Sequence, residues 1–191
     1  MENKNTHPQP DEKVLIAQAQ QGDKQALSTL YELYVDAIYR FMFYRTGDAM
    51  IAEDLTAEVF TSVITALSHY RDRGLPFQAW LFRIARARLA DYWRKTKRRE
   101  KYHHEITNPD TELPEPKEEH TTIDFFEYEA LQTALQYLTS AETEVVILRF
   151  AGGLNHREIA QVIHSNTNAV KSKMRRALRK LRKILEAQKD N

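Results

Sequence analysis

LNHREIAQVIHSNTNAVKSKMRRALRKL, Leu154 to Leu181, decides the fold of the C-terminal half. Asn155, with Glu158 three residues on, has the form of a helix cap: the asparagine oxygen accepts from the first unpaired backbone N–H groups and the glutamate reaches back. A short helix carrying Ile159, Ala160 and Ile163 follows, then a three-residue break, His164-Ser165-Asn166. Beyond the break runs a long basic helix whose apolar stripe is Val170, Met174, Ala177, Leu181 and Leu185. Two helices joined by so short a break form a helix-turn-helix. Ala160 supplies the small side chain that two steeply crossing helices need near their closest approach. Upstream, Thr139-Ser140-Ala141-Glu142 is a second capping box, opening a helix with Val145, Val146, Leu148 and Phe150 that stops at Gly152-Gly153.

Off the stripe of the last helix lie Asn168, Lys171, Ser172, Arg175, Arg176 and Arg179. Arg and Lys donate to guanine in the major groove, Asn and Ser bond adenine or phosphate, and a recognition helix works from its N-terminal half. Arg182 and Lys183, further along, suit backbone phosphate. The bland alternative is a solvated basic face; the helix-turn-helix punctuation ahead of it favours DNA binding.

Working back toward the N-terminus, Leu27, Leu30, Tyr31, Tyr34, Ile38 and Phe41 recur at helical spacing after a capping Asp23, and Gly47 ends that helix. Asp48 caps a second one with Ile51, Leu55, Val59, Val63 and Leu67, which runs to the polar segment His69 to Gly74. Pro76 suits the first turn of a third, with Phe77, Trp80, Leu81 and Ile84 on its apolar side. Lys101 to Thr122 holds Pro109, Pro114 and Pro116 among acidic and polar residues and cannot bury enough surface to order itself. The chain is therefore expected to be all-α. A polar tail (1–23) precedes a helical domain (24–100), and a flexible acidic linker (101–124) leads to a helix-turn-helix domain (125–186).

A net charge of +1 hides strong segregation. Arg71 to Lys101 carries eleven basic and three acidic residues; Glu105 to Glu129, one and nine; Arg149 to Asp190, eleven and three. Two basic blocks on separate units suit two contacts with a polyanion, and the acidic stretch between them suits a linker. The absence of cysteine excludes disulfides and thiolate zinc sites. With no signal peptide and no apolar run of membrane-spanning length, a cytoplasmic protein with no membrane insertion of its own is expected. No phosphate loop, HExxH, GxSxG or supported carboxylate pair occurs, so neither catalysis nor a metal or cofactor is expected.

In the third helix Arg83, Arg86, Arg94 and Lys97 share one face opposite Trp80 and Ile84, and Tyr92, Trp93 and the run Arg94 to Arg99 extend it. Cations interleaved with rings suit unstacked single-stranded DNA, and a structural aromatic pair on a soluble helix end is the equal alternative. Glu53, Asp54 and Glu58 form an acidic patch on the second helix, read either as a protein-facing surface or as an ordinary solvated face.

These features come in a familiar order. AEDLTAEVF (Ala52 to Phe60), FQAWLFRIARARLADYWRKTKRR (Phe77 to Arg99) and Leu154 to Leu181 together resemble the extracytoplasmic function (ECF) group of sigma factors of the sigma-70 family. The resemblance implies a subunit that binds core RNA polymerase, recognises minus-thirty-five and minus-ten promoter elements and promotes DNA opening. It places Glu53, Asp54, Glu58 and Phe60 on the clamp helices of the polymerase largest subunit, and implies a further contact with the polymerase flap. The loop His69 to Pro76 would hold a flipped minus-ten base. Arg71, Arg73, Arg83, Arg86, Asp91, Tyr92, Trp93 and Arg94 would lie along the separated strand. Asn168, Lys171, Ser172, Arg175, Arg176 and Arg179 would read the minus-thirty-five element, and an anti-sigma partner would hide these faces. Three positions depart from the family pattern: Ala57 for a common glutamine, Ala87 for an asparagine, and His164 for the turn glycine. The rival readings are a stand-alone helix-turn-helix regulator and an RNA-binding or adaptor protein gripping phosphate by shape.

Overall fold

A computed structural model describes residues 11–72, 74–103 and 134–189. Among these residues there is no strand. The helices are α1 (Glu12–Gln20), α2 (Lys24–Thr46), α3 (Ala49–Leu67), α4 (Phe77–His103), α5 (Ser140–Phe150), α6 (His156–Val162) and α7 (Thr167–Lys189). A helical turn at 134–136 precedes α5. Beyond the end of α4, the expected linker and the first residues of the expected C-terminal domain lie outside the described residues.

The boundaries follow from capping chemistry. The Asp23 carboxylate accepts from the amides of Gln25 and Ala26 to open α2, and Gly47 ends it in the left-handed conformation, φ +73°. Asp48 accepts from the Ile51 amide to open α3. Both capping boxes form, Thr139 with Glu142 ahead of α5 and Asn155 with Glu158 ahead of α6.

The expected polar tail is instead partly helix. Residues 12–20 form α1, with Leu15, Ile16 and Ala19 buried against α2. Nine residues are too few to hold a helix in water. Packing of these three side chains stabilises it, a tertiary contribution that local pattern does not display.

Helices α2, α3 and α4 bury Ile38, Phe41, Met42, Val59, Leu81 and Phe82 in one core. The helices α5, α6 and α7 close around Val145, Leu148, Ile159, Val162, Val170 and Ala177. The two groups, expected as separate units on a linker, also touch each other: α4 lies on α6 and α2 on α5. Gly152 lies close against this contact, since a Cβ there would stand 2.8 Å from Phe82 Cζ. Of the apolar residues of α5, Phe150 is 66% exposed, whereas Val145, Val146, Ile147 and Leu148 are buried. Among the described residues no helix is long and apolar enough to cross a membrane.

One buried charge ties the C-terminal group together. Glu142, 4% exposed, accepts from Lys180 Nζ at 2.7 Å and from the Thr139 amide at 3.0 Å, and lies 3.6 Å from Arg176 Nε. The Lys180 and Thr139 hydrogen bonds hold its carboxyl down at about 2, from an ordinary 4.5, against the opposing effect of burial. The folded form thus binds this proton more weakly than the unfolded chain, so its contribution is complete above pH 4.5 and lost as pH falls toward 2. Thermal melting should show stability falling across that window, and Glu142→Gln should flatten the slope and cost about 1–2 kcal/mol at neutral pH through the weakened cap.

Candidate nucleic-acid interface

The turn between α6 and α7 is built from three local devices. Ile163 closes α6, His164 takes the left-handed conformation at φ +52°, and the Ser165 amide donates back to Ala160 O at 2.7 Å. Histidine tolerates this region better than most side chains, so the turn forms without the usual glycine. Asn166 then caps α7, its side-chain oxygen accepting from the Ala169 amide at 2.8 Å.

That turn fixes the rotation of α7. Val170, Met174 and Ala177 are buried, and Asn168, Lys171, Ser172, Arg175, Arg176 and Arg179 are all exposed on the other side. At about 100° per residue the six span roughly 140° of the helix surface, a continuous polar and cationic strip that a major groove can accept. Arg176 is not wholly free, because its Nε lies near Glu142. Its neighbour Arg175 has no such anchor among the described residues.

The arginines of α4 divide. Arg94 is exposed and pairs with Asp91, which Arg88 also approaches at 3.9 Å. Tyr92 and Trp93 sit edge to face with ring centroids 5.0 Å apart; Trp93 is exposed and Tyr92 half-buried against the core. Arg71 is exposed in the loop before α4 and donates to the carbonyls of Ser68 and Tyr70. Arg73 lies outside the described residues. Arg83 and Arg86, expected on the same open face as Arg94, instead reach the C-terminal helices. Arg83 donates to Gln161 O at 3.0 Å, and Arg86 donates to Val162 O and to Glu144, both at 2.7 Å. The α6 carbonyls they cap have no partners within their own helix, so cations are favoured there. The sequence shows only that these arginines share a helix face; it does not show that α6 would end against them.

This contact is imperfect. Arg45 donates to Ser140 O at 3.0 Å, and burial pushes its guanidinium pKa below the usual range. The Nε atoms of Arg45 and Arg83 are buried without a hydrogen-bond partner among the described residues.

On α3, Glu53, Asp54, Ala57 and Glu58 are exposed together, and Phe60 is not with them. It is buried, its ring edge-on to Tyr31 at 4.7 Å. The acidic strip is flanked by two residues that pattern reading passed over, Met50 at 76% and Ile64 at 60% exposure. Both fall at helical phase with Asp54 and Ala57, on the side away from Leu55, Val59 and Val63. A face of exposed apolar ends and an acidic middle suits a protein partner better than solvent.

Comparison with known proteins matches residues 30–99 to the Sigma-70 region 2 family and residues 128–181 to the Sigma-70, region 4 family, so α1 lies ahead of the matched segments. The ECF RNA polymerase sigma factor SigD of Mycobacterium tuberculosis is 33% identical over 180 residues, covering 92% of this chain and 84% of that one. The ECF RNA polymerase sigma factor BldN of Streptomyces coelicolor is 33% identical over 174 residues, 90% of this chain and 64% of that protein's length. Among solved structures, CnrH in complex with the cytosolic domain of CnrY superposes with a TM-score of 0.65 at 24% identity, covering 92% of this chain and 97% of that one. RpoE of Bartonella quintana, crystallised with the anti-sigma factor NepR, gives 0.66 at 21% identity, over 83% of this chain and 96% of that one. These two likenesses concern the fold.

Proposed function

Because the chain belongs to the ECF RNA polymerase sigma factors, proteins of promoter recognition and transcription initiation, we propose a division of that work between its two groups of helices. Residues 24–100 form the unit that binds core polymerase and the minus-ten element; residues 125–186 form the unit that reads the minus-thirty-five element. The observation that carries this is the strip Asn168 to Arg179, exposed as one surface immediately after a helix-turn-helix turn. It enters the major groove, with Lys171 and Arg175 facing bases and Arg182 and Lys183 facing phosphate.

The exposed strip of α3, Glu53, Asp54 and Glu58 with Met50 and Ile64, docks on the clamp helices of the polymerase largest subunit, and Phe60 supports it from within through Tyr31. The C-terminal unit also meets the polymerase flap. Arg71, Arg94 and Trp93 meet the separated minus-ten strand from the exposed side of α4. Arg83 and Arg86 join them only when α6 withdraws, so promoter engagement and helix packing compete for the same two guanidinium groups. The chain performs no reaction itself; the polymerase carries the chemistry, and the setting is the cytoplasm. An anti-sigma partner is proposed by analogy with the relatives crystallised with CnrY and NepR.

Arg175→Ala tests the reading directly. Measured against promoters substituted at each minus-thirty-five position, it should cost about 1–3 kcal/mol and relax discrimination at one base pair. An equal loss on every sequence would make Arg175 a phosphate contact.

A further inference from the structure

The segment between α3 and α4 is held at its base by a residue from outside it. Gln20, the last residue of α1, donates both hydrogens of its side-chain amide to that base, to Leu67 O at 3.0 Å and to Tyr70 O at 2.9 Å. Leu67 is the last residue of α3, and its carbonyl, with no partner inside the helix, accepts from the Tyr70 amide at 3.0 Å as well as from Gln20. Tyr70 begins the chain's turn toward α4 and is itself locked, 8% exposed, edge-on to Phe77 at 5.2 Å and against Trp80 at 4.9 Å. The backbone turn and Arg71, which also donates to Tyr70 O, shape this exit locally, and the Gln20 amide ties it to α1.

Further contacts make α1 a brace rather than a passing neighbour. Lys13 Nζ lies 3.5 Å from Asp72 Oδ2, and the other oxygen of Asp72 accepts from the Gly74 amide at 2.9 Å, shaping the turn. Glu12 accepts from the Tyr34 hydroxyl and ties α1 to α2. The Lys13 pair is exposed and worth little on its own. The paired bonds of Gln20 are partly buried and directional, and they are the ones that set geometry.

We propose that Gln20 is a positioning residue for minus-ten recognition: it orients the loop after α3 so that the loop can hold an extruded base, without touching DNA. This rests on the assignment of that loop to the minus-ten element under the proposed function. A pocket that grips one flipped base needs its walls fixed to a fraction of an ångström, and a loop anchored only at its ends does not supply this.

The test uses holoenzyme assembled from core polymerase and the full chain, with rates of open-complex formation measured on promoters carrying all four bases at each minus-ten and minus-thirty-five position. Gln20→Leu should reduce base discrimination at one minus-ten position roughly 3- to 10-fold. Discrimination at minus-thirty-five and affinity for core polymerase should remain unchanged. Gln20→Glu, which keeps the shape but cannot donate, should do the same. Gln20→Lys, which restores donors toward the two carbonyls, should recover discrimination. Wild-type discrimination in both the leucine and glutamate variants would overturn the inference, as would an equal loss at both elements without rescue by lysine. If the wild-type holoenzyme shows no base preference at any minus-ten position, the loop assignment itself fails.

Discussion

Phe82→Ala will lower the stability of the folded chain by about 3–5 kcal/mol, the cost of removing a fully buried aromatic ring from a close-packed site. Phe82 has no exposed surface and meets Phe41 edge-on at 5.5 Å. On its far side it lies under Gly152, where even a Cβ would come within 2.8 Å. The ring is thus shared between the N-terminal core and the C-terminal helices, and its loss opens a cavity on both sides. Denaturant unfolding checks the size of the effect. Gly152→Leu, whose Cβ would meet the Leu148 carbonyl at 2.7 Å as well as the Phe82 ring, should also destabilise the chain, by displacing both the end of α5 and its contact with α4.

Glu144→Gln will raise the affinity of the free chain for DNA with a pre-melted minus-ten strand about 5- to 20-fold, in the absence of polymerase. The Glu144 carboxylate holds Arg86 at 2.7 Å with only 17% of its own side chain exposed, and Arg86 is the residue proposed to serve the separated strand. Neutralising the acid weakens a partly desolvated ion pair by roughly 1–2 kcal/mol, and each 1.4 kcal/mol is tenfold in the competing equilibrium. Arg86 then keeps its bond to Val162 O and a neutral hydrogen bond to the amide oxygen at position 144, without the ionic attraction. Fluorescence anisotropy against labelled fork DNA at one fixed salt concentration measures the gain. Placing Arg86→Ala in the same chain should abolish it. An unchanged affinity in Glu144→Gln would show that the contact between α4 and the C-terminal helices does not restrict DNA access.

How much of this was legible beforehand depended on whether the physics was local. Caps at Asp23, Asp48, Thr139 and Asn155, the terminating Gly47 and the break at His164 to Asn166 all act within a few residues, and each is where the sequence pattern placed it. The exposed face of α7 was legible for the same reason, since 3.6-residue periodicity fixes which side chains oppose a buried stripe. What escaped was set by distant partners. Helix α1 exists because α2 offers it a surface. Arg83 and Arg86 turn away from solvent because the end of α6 happens to lie there. Phe60 carries the same apolar signal whether it supports a docking face from inside or forms part of it. Met50 and Ile64 are apolar residues off the stripe Leu55, Val59 and Val63, a position periodicity does display but apolar character hides. Gln20 carries no signal at all in a single sequence, because its two acceptors lie 47 and 50 residues away.

The most direct measurement of the central claim is run-off transcription with purified core RNA polymerase and the full chain on promoter DNA, against the same template with the minus-thirty-five and minus-ten elements scrambled. The account predicts transcripts that begin at a defined position, require the chain, and disappear when either element is scrambled or when Lys171 and Arg175 are both replaced by alanine. Failure to bind core polymerase, or initiation indifferent to both elements, would contradict it.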